Sequence, residues 1–133
     1  MSSSESLPDL KLRAVWLTVG YSMIAVIVIL SLTSSPIDTG LDFPYQDKLY
    51  HMLAYFSLMF WFAQIYHECT KRNLMAVMLI MMGVLLEYLQ GFDPNRYSEF
   101  ADMLANSMGV LLGLLLALTG AKNLLIKFER IFH

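Results

Sequence analysis

Three short stretches of this chain carry polar side chains whose spacing could support chemistry. In the first, Asp47, His51 and Tyr55 are four residues apart and form one stripe on a helix, with Lys48 beside His51. A carboxylate, an imidazole and an ammonium group in one place can bind an anion or exchange a proton with a substrate. The stripe is therefore a candidate binding site.

The other two stretches lie further along the chain and are joined by a short polar segment. Their members are Glu87 and Gln90 in the second stretch, Arg96 in the joining segment, and Asp102, Asn106, Gly109 and Gly113 in the third. The paired glycines permit close approach of another helix, either within the same bundle or from a second copy, and Gly83 is interpreted in the same way.

Four apolar runs must position these stretches, and they predict membrane-crossing helices. The runs cover residues 14–32, 49–66, 74–90 and 103–119. At about 1.5 Å per residue, each helix is roughly 25 to 29 Å long, which is close to the ~30 Å hydrocarbon thickness of a bilayer. The first run lacks the charged face of a soluble helix, and only 15% of the chain is charged. The predicted fold class is all-α, an integral membrane bundle of four transmembrane helices.

The basic residues predict the orientation of the bundle. Seven of the nine Lys and Arg residues precede the first run, separate the second from the third, or follow the fourth. By the positive-inside rule, the N-terminus and the C-terminus are both cytoplasmic. The tails at 1–13 and 120–133 then lie inside, and the transmembrane domain covers 14–119. His51, Glu87 and Asn106 are each expected within about a turn of the outer surface.

Each polar residue also has a structural interpretation. Asp47 is equally consistent with an N-cap, and Asp102 with a charge that complements the N-terminal end of its helix. Tyr55 is consistent with packing or with an interfacial anchor. Glu87 is different, because a carboxylate within the apolar zone must be protonated or paired, and Arg96 or Lys48 are its expected partners. A functional site is favoured there.

The ordered set of these residues resembles a known family. Asp47-Lys48-x-x-His51-x-x-x-Tyr55, Glu87-x-x-Gln90, Arg96, and Asp102 followed by Asn106-x-x-Gly109 are similar to the signature of VanZ-like membrane proteins. The resemblance covers residues 46–113, about half of the chain. It implies a four-helix protein of the bacterial cytoplasmic (inner) membrane. The founding member of the family is associated with resistance to the glycopeptide teicoplanin.

Three functions follow from these features. The first is a polar pocket at the outer leaflet that binds a lipid head group, a lipid-linked envelope precursor or an amphiphile. The second is an intramembrane enzyme with Glu87 or His51 as its acid or base. The third is an assembly factor that docks a partner membrane protein or a second copy through Gly109 and Gly113. No motif indicates a cofactor, a metal site or nucleic-acid binding.

Overall fold

The computed structural model describes residues 10–32, 46–92, 100–119 and 123–132, and helix is the only regular secondary structure in these ranges. The prediction of an all-α fold is therefore confirmed for this part of the chain. The helices are α1 (Arg13–Leu32), α2 (Gln46–Ile65), α3 (Cys69–Gln90), α4 (Phe100–Ala117) and α5 (Leu124–Phe132). The third helix begins at Cys69 rather than at residue 74, because its first turns carry polar residues that an apolar run excludes.

Three of the described helices are long and apolar enough to cross a membrane. They are α1, α3 and α4, with mean hydropathies of 2.2, 1.6 and 1.7. The second helix has 20 residues as well, but Lys48, His51 and Gln64 lower its hydropathy. Three crossings thus have direct support from length and composition, whereas the fourth crossing stays a prediction.

The second helix lies at the centre of the bundle and contacts α1, α3, α4 and α5. Its most extensive contact is with α4. The two helices run parallel, since Gly109 lies against Met52 and Phe56 whereas Gly113 lies against Phe56 and Phe60. The short connection between α2 and α3 makes those two helices antiparallel.

The surface of the bundle is apolar, and its polar residues point inward. Ile29, Met81 and Leu115 are each at least 59% exposed, on three different helices. Glu87, Asp102 and other polar or charged residues are at most 5% exposed. This is the reverse of the usual arrangement in soluble proteins, and it is what contact with lipid requires.

The polar residues buried among the described segments fall into two groups, one at each end of the bundle. The site end is formed by the first turns of α2 and α4 and the last turns of α1 and α3, and it holds Glu87, Gln90, Asp102 and Asn106. The opposite end holds Gln64, Arg72 and Glu129.

The fifth helix differs from the prediction, which gives residues 120–133 only as a cytoplasmic tail. It lies against the opposite end, where Leu125 and Ile126 form a small core with Leu10 and Ile65. Its other face leaves Phe128 and further apolar side chains exposed. The helix is therefore amphipathic, as expected for a segment that lies along a membrane surface.

Candidate functional site

An imidazole and two carboxylates meet at the site end of the bundle. The ligand-capable atoms of His51, Glu87 and Asp102 all lie within 4.8 Å of one another. Each residue comes from a different helix: His51 from the second turn of α2, Glu87 from the last turn of α3, and Asp102 from the first turn of α4. The antiparallel direction of α3 brings its C-terminal end to the N-terminal ends of the other two helices. Together these three residues form the polar triad.

The triad is almost entirely enclosed by protein. Glu87 is 1% exposed and Asp102 is 5% exposed, and His51 is half-buried. Two carboxylates at this distance repel each other when both are ionised, and the low dielectric of the interior strengthens the repulsion. A shared proton, a cationic side chain or a bound cation must therefore compensate for part of the negative charge.

Lys48 supplies one such cation at the rim of the triad. Its Nζ lies 3.3 Å from Oδ1 of Asp102, and its side chain is 23% exposed. The sequence offered Lys48 as a partner for Glu87; the ion pair that is observed joins it to Asp102. Because Lys48 and Asp102 lie in the first turns of the parallel helices α2 and α4, their side chains meet across the contact between the two helices. Lys48 is the part of the site that remains in reach of solvent or of a polar head group.

A second polar layer lies one turn deeper. Tyr55 follows His51 by one turn of α2, and Asn106 follows Asp102 by one turn of α4. Both approach the same glycine, since a Cβ on Gly83 would lie 3.1 Å from Nδ2 of Asn106 and 3.3 Å from the Tyr55 ring. The absence of a side chain at Gly83 therefore gives these two polar residues room beneath the triad.

Asn106 carries a buried acceptor that has no donor. The residue is 4% exposed, and its Oδ1 makes no hydrogen bond. Oδ1 of Asp102 is also buried and accepts no hydrogen bond, although it takes part in the ion pair with Lys48. A buried acceptor without a donor costs about 1–3 kcal/mol. Lys48 compensates for the Asp102 oxygen, whereas the Asn106 oxygen leaves the site able to receive a donor.

Gln90 joins two helices of the bundle. Its Nε2 donates a hydrogen bond of 2.8 Å to the backbone carbonyl of Ser31 in the last turn of α1. This bond satisfies one of the carbonyl groups that a helix end leaves without an intrahelical donor. Gln90 therefore fixes α1 to α3 beside the triad, a contact that its place in the sequence does not reveal.

Two of the predicted site residues cannot be placed. The Asp47 side chain and the whole of Arg96 lie outside the described residues. The described site therefore consists of the polar triad, Lys48, and the deeper Tyr55 and Asn106.

Close packing of α2 and α4 holds the triad in place. A Cβ at Gly109 would overlap the Met52 carbonyl oxygen and lie 3.0 Å from the Phe56 amide nitrogen. A Cβ at Gly113 would lie 2.8 Å from the Phe56 carbonyl oxygen. The paired glycines thus serve packing within the bundle, and no second copy is needed to account for them.

A cluster at the opposite end was missed by the sequence analysis. The Glu129 carboxylate accepts hydrogen bonds from the Lys11 amide at 2.7 Å, the Leu12 amide at 2.8 Å and the Trp16 indole at 2.6 Å. Gln64 caps α5 by accepting a bond of 3.0 Å from the Leu125 amide. The helical periodicity of residues 124–132 was the available signal. These bonds tie the two ends of the chain together, so this second cluster is structural.

The triad can support three kinds of chemistry. An imidazole beside a carboxylate can exchange protons, the exposed Lys48 ammonium can bind an anion, and one nitrogen with two oxygens can hold a metal ion. Comparisons with protein-family models, with curated proteins and with solved structures find no match to this chain.

Proposed function

We propose that this chain is a VanZ-like, multi-pass membrane protein of the bacterial cell envelope that binds the anionic head group of a membrane lipid or a lipid-linked precursor. The proposal rests on one observation: three helices bring His51, Glu87 and Asp102 within 4.8 Å of one another at one end of an apolar bundle. A polar site of this kind in a lipid-facing protein is costly to maintain, and such sites are usually functional.

In the proposed topology, α2 also crosses the membrane, which brings the number of crossings to four, and both termini lie in the cytoplasm. The short connection between α2 and α3 supports this arrangement, as does the packing of α2 against both α1 and α3. The basic residues Lys71, Lys127 and Arg130 are exposed at the opposite end, which suits the anionic inner leaflet. The site end then faces the outer leaflet of the cytoplasmic membrane.

Lys48 provides the primary contact with the ligand. Its ammonium is partly exposed, whereas Glu87 and Asn106 are buried below it. An anionic phosphate or carboxylate binds to Lys48 by a charge-assisted hydrogen bond, and the acceptor oxygens of Asp102 and Asn106 receive hydroxyl or amide donors from the head group. The acyl chains lie along the apolar faces of α3 and α4.

The test is to identify the lipids that stay bound during purification in a mild detergent. Lipids are extracted from the wild-type protein, from Lys48→Gln and from Lys127→Gln, and are quantified by mass spectrometry. Lys127 is an exposed lysine of α5 and serves as the matched control. We expect Lys48→Gln to retain about tenfold less anionic lipid than wild type, since one charge-assisted hydrogen bond contributes about 1.5–3 kcal/mol. Equal retention by all three proteins contradicts the proposal.

The contact between an imidazole and two carboxylates also supports a second candidate function, an intramembrane hydrolase acting on a head group. In this case His51 accepts the proton of the attacking water and a carboxylate of the triad orients the imidazole. The two functions are separated by His51→Gln, which abolishes turnover of bound lipid if the protein is an enzyme. If wild type and His51→Gln both leave the lipid intact, the enzyme is excluded and binding stands.

A further inference from the structure

We propose that the polar triad is a binding site for one divalent transition-metal ion of the Zn²⁺, Mn²⁺ or Fe²⁺ class. One imidazole nitrogen of His51, one oxygen of Glu87 and one oxygen of Asp102 are its protein ligands. The sequence did not indicate this site because each ligand comes from a different helix, and no two of them form a local motif.

The distances among the three groups suit a metal ion. Bonds from Zn²⁺ to nitrogen or oxygen are about 2.0–2.2 Å long, so two ligands at the tetrahedral angle are about 3.4 Å apart. The ligand atoms of the triad are within 4.8 Å of one another. Side-chain rotations that bring these atoms about an ångström closer together would close the site around an ion.

The ligand types select the class of ion. Ca²⁺ and Mg²⁺ prefer all-oxygen sites, whereas one imidazole with two carboxylates suits Zn²⁺, Mn²⁺ or Fe²⁺. Three protein ligands leave at least one coordination position open, as in catalytic rather than structural zinc sites. An exogenous ligand can therefore reach the ion.

The buried acceptor oxygens are an independent observation that supports the same site. Oδ1 of Asp102 and Oδ1 of Asn106 are both buried and accept no hydrogen bond. Lys48 lies 3.3 Å from the first, and a metal ion would add a second cation beside it. Asn106 lies one turn below on the same helix face and offers an acceptor to a water molecule on the ion, as outer residues of metal sites commonly do. No described residue donates a hydrogen bond to the Asn106 oxygen.

The charge of the site indicates what the ion binds. The two carboxylates balance a divalent cation, and Lys48 then adds one positive charge 3.3 Å from Asp102. A site with this surplus favours an anion at the open position, and a phosphate group fits both the ion and the ammonium. The metal ion thus deepens the proposed function by adding a second contact to the anionic head group, although binding of the ion itself does not depend on that function.

The experiment uses Co²⁺ as the probe, because its visible absorption reports both binding and coordination geometry. The purified full-length protein is treated with a chelator, the chelator is removed, and Co²⁺ is added without lipid. We expect one equivalent to bind and Zn²⁺ to displace it. His51→Gln, Glu87→Gln and Asp102→Asn should each weaken binding by at least about tenfold. The matched controls are His67→Gln and Glu68→Gln, an imidazole and a carboxylate at the opposite end, and they should bind as wild type does.

The metal site is overturned if wild type shows no saturable Co²⁺ absorption, or if the three site variants bind as tightly as the controls. Circular dichroism identifies any variant that does not fold. If a variant does not fold, its Co²⁺ affinity cannot be compared with that of wild type. X-ray absorption of the wild-type Co²⁺ complex then identifies the ligands directly, and a ligand shell without an imidazole overturns the site. Because no lipid is added, the two proposals can fail separately. If the protein retains anionic lipid but binds no Co²⁺, only the metal site is refuted. If it binds Co²⁺ but Lys48→Gln retains as much lipid as wild type, only the head-group function is refuted.

Discussion

The contact between α2 and α4 can be tested by adding one methyl group to α4. In Gly109→Ala the new Cβ would overlap the Met52 carbonyl oxygen and lie 3.0 Å from the Phe56 amide nitrogen. Both atoms belong to the backbone of α2, so no rotation of a side chain relieves the overlap. The two helices must therefore move apart, and the polar triad that depends on their spacing must widen.

The expected cost follows from these distances. Ordinary contacts between carbon and a carbonyl oxygen are about 3.3–3.6 Å, and overpacking a well-packed core typically costs about 1–3 kcal/mol. Gly109→Ala should lie at the upper end, at about 3 kcal/mol, because the whole helix must shift. Gly113→Ala places its Cβ 2.8 Å from the Phe56 carbonyl oxygen and should cost about 2 kcal/mol. Gly83→Ala meets the Asn106 side chain at 3.1 Å, which can adjust, and should cost about 1 kcal/mol.

The assay is unfolding of the purified protein in mild detergent, followed by circular dichroism during a denaturant titration. Met108→Ala is the matched control, because it changes a neighbouring side chain of the same helix that is 53% exposed. Its effect should be within about 0.5 kcal/mol. Wild-type stability in Gly109→Ala would refute the close approach of α2 and α4. A larger loss in Gly83→Ala than in Gly109→Ala would also refute it.

Two further predictions concern the opposite end of the bundle and the topology. Glu129→Gln removes a carboxylate that accepts three hydrogen bonds, so it should lower the free energy of unfolding by about 3 kcal/mol and alter Trp16 fluorescence. The control Glu68→Gln should change neither quantity. If Glu129→Gln has wild-type stability and fluorescence, the contact contributes little. Cys69, the sole cysteine of the sequence, is exposed at the start of α3, and Phe92 is 71% exposed beyond its end. A membrane-impermeant maleimide should therefore label Cys69→Ser/Phe92→Cys, but not wild type, in intact spheroplasts, and the opposite pattern would invert the topology.

The apolar runs predicted α1 to α4 well, because contact with lipid imposes a continuous apolar stretch whose length is set by the bilayer. The apolar run at residues 14–32, for example, corresponds to α1, which covers Arg13–Leu32. The fifth helix was missed for the same reason: it alternates Lys127, Glu129 and Arg130 with apolar residues, and its signal is periodicity rather than hydropathy. A search for crossing segments does not detect a helix that lies across their ends.

Counting turns from the predicted ends correctly placed His51 and Glu87 at one level of the bundle, because helix rise is fixed. The same count put Asn106 at that level, whereas the structure has Asp102 there and Asn106 one turn deeper. The partners of individual side chains were less predictable. The ion pair of Lys48 with Asp102, and the bond from Gln90 to Ser31, depend on which helices are neighbours and on their rotation. Neither property is encoded in a single helix. The depth of a residue along its helix can therefore be predicted from the sequence, whereas the partner of its side chain depends on how the helices pack.

The hydrogen bonds of Glu129 can form only late in the synthesis of this chain, relative to the helix that they hold. Its carboxylate binds amides that precede it by 117 and 118 residues, almost the full length of the chain. The start of α1 leaves the ribosome well before Glu129, which is translated 117 residues after Leu12. The first helix therefore lacks this anchor until Glu129 has been translated, and a chain that stops before Glu129 leaves those two amides without their acceptor.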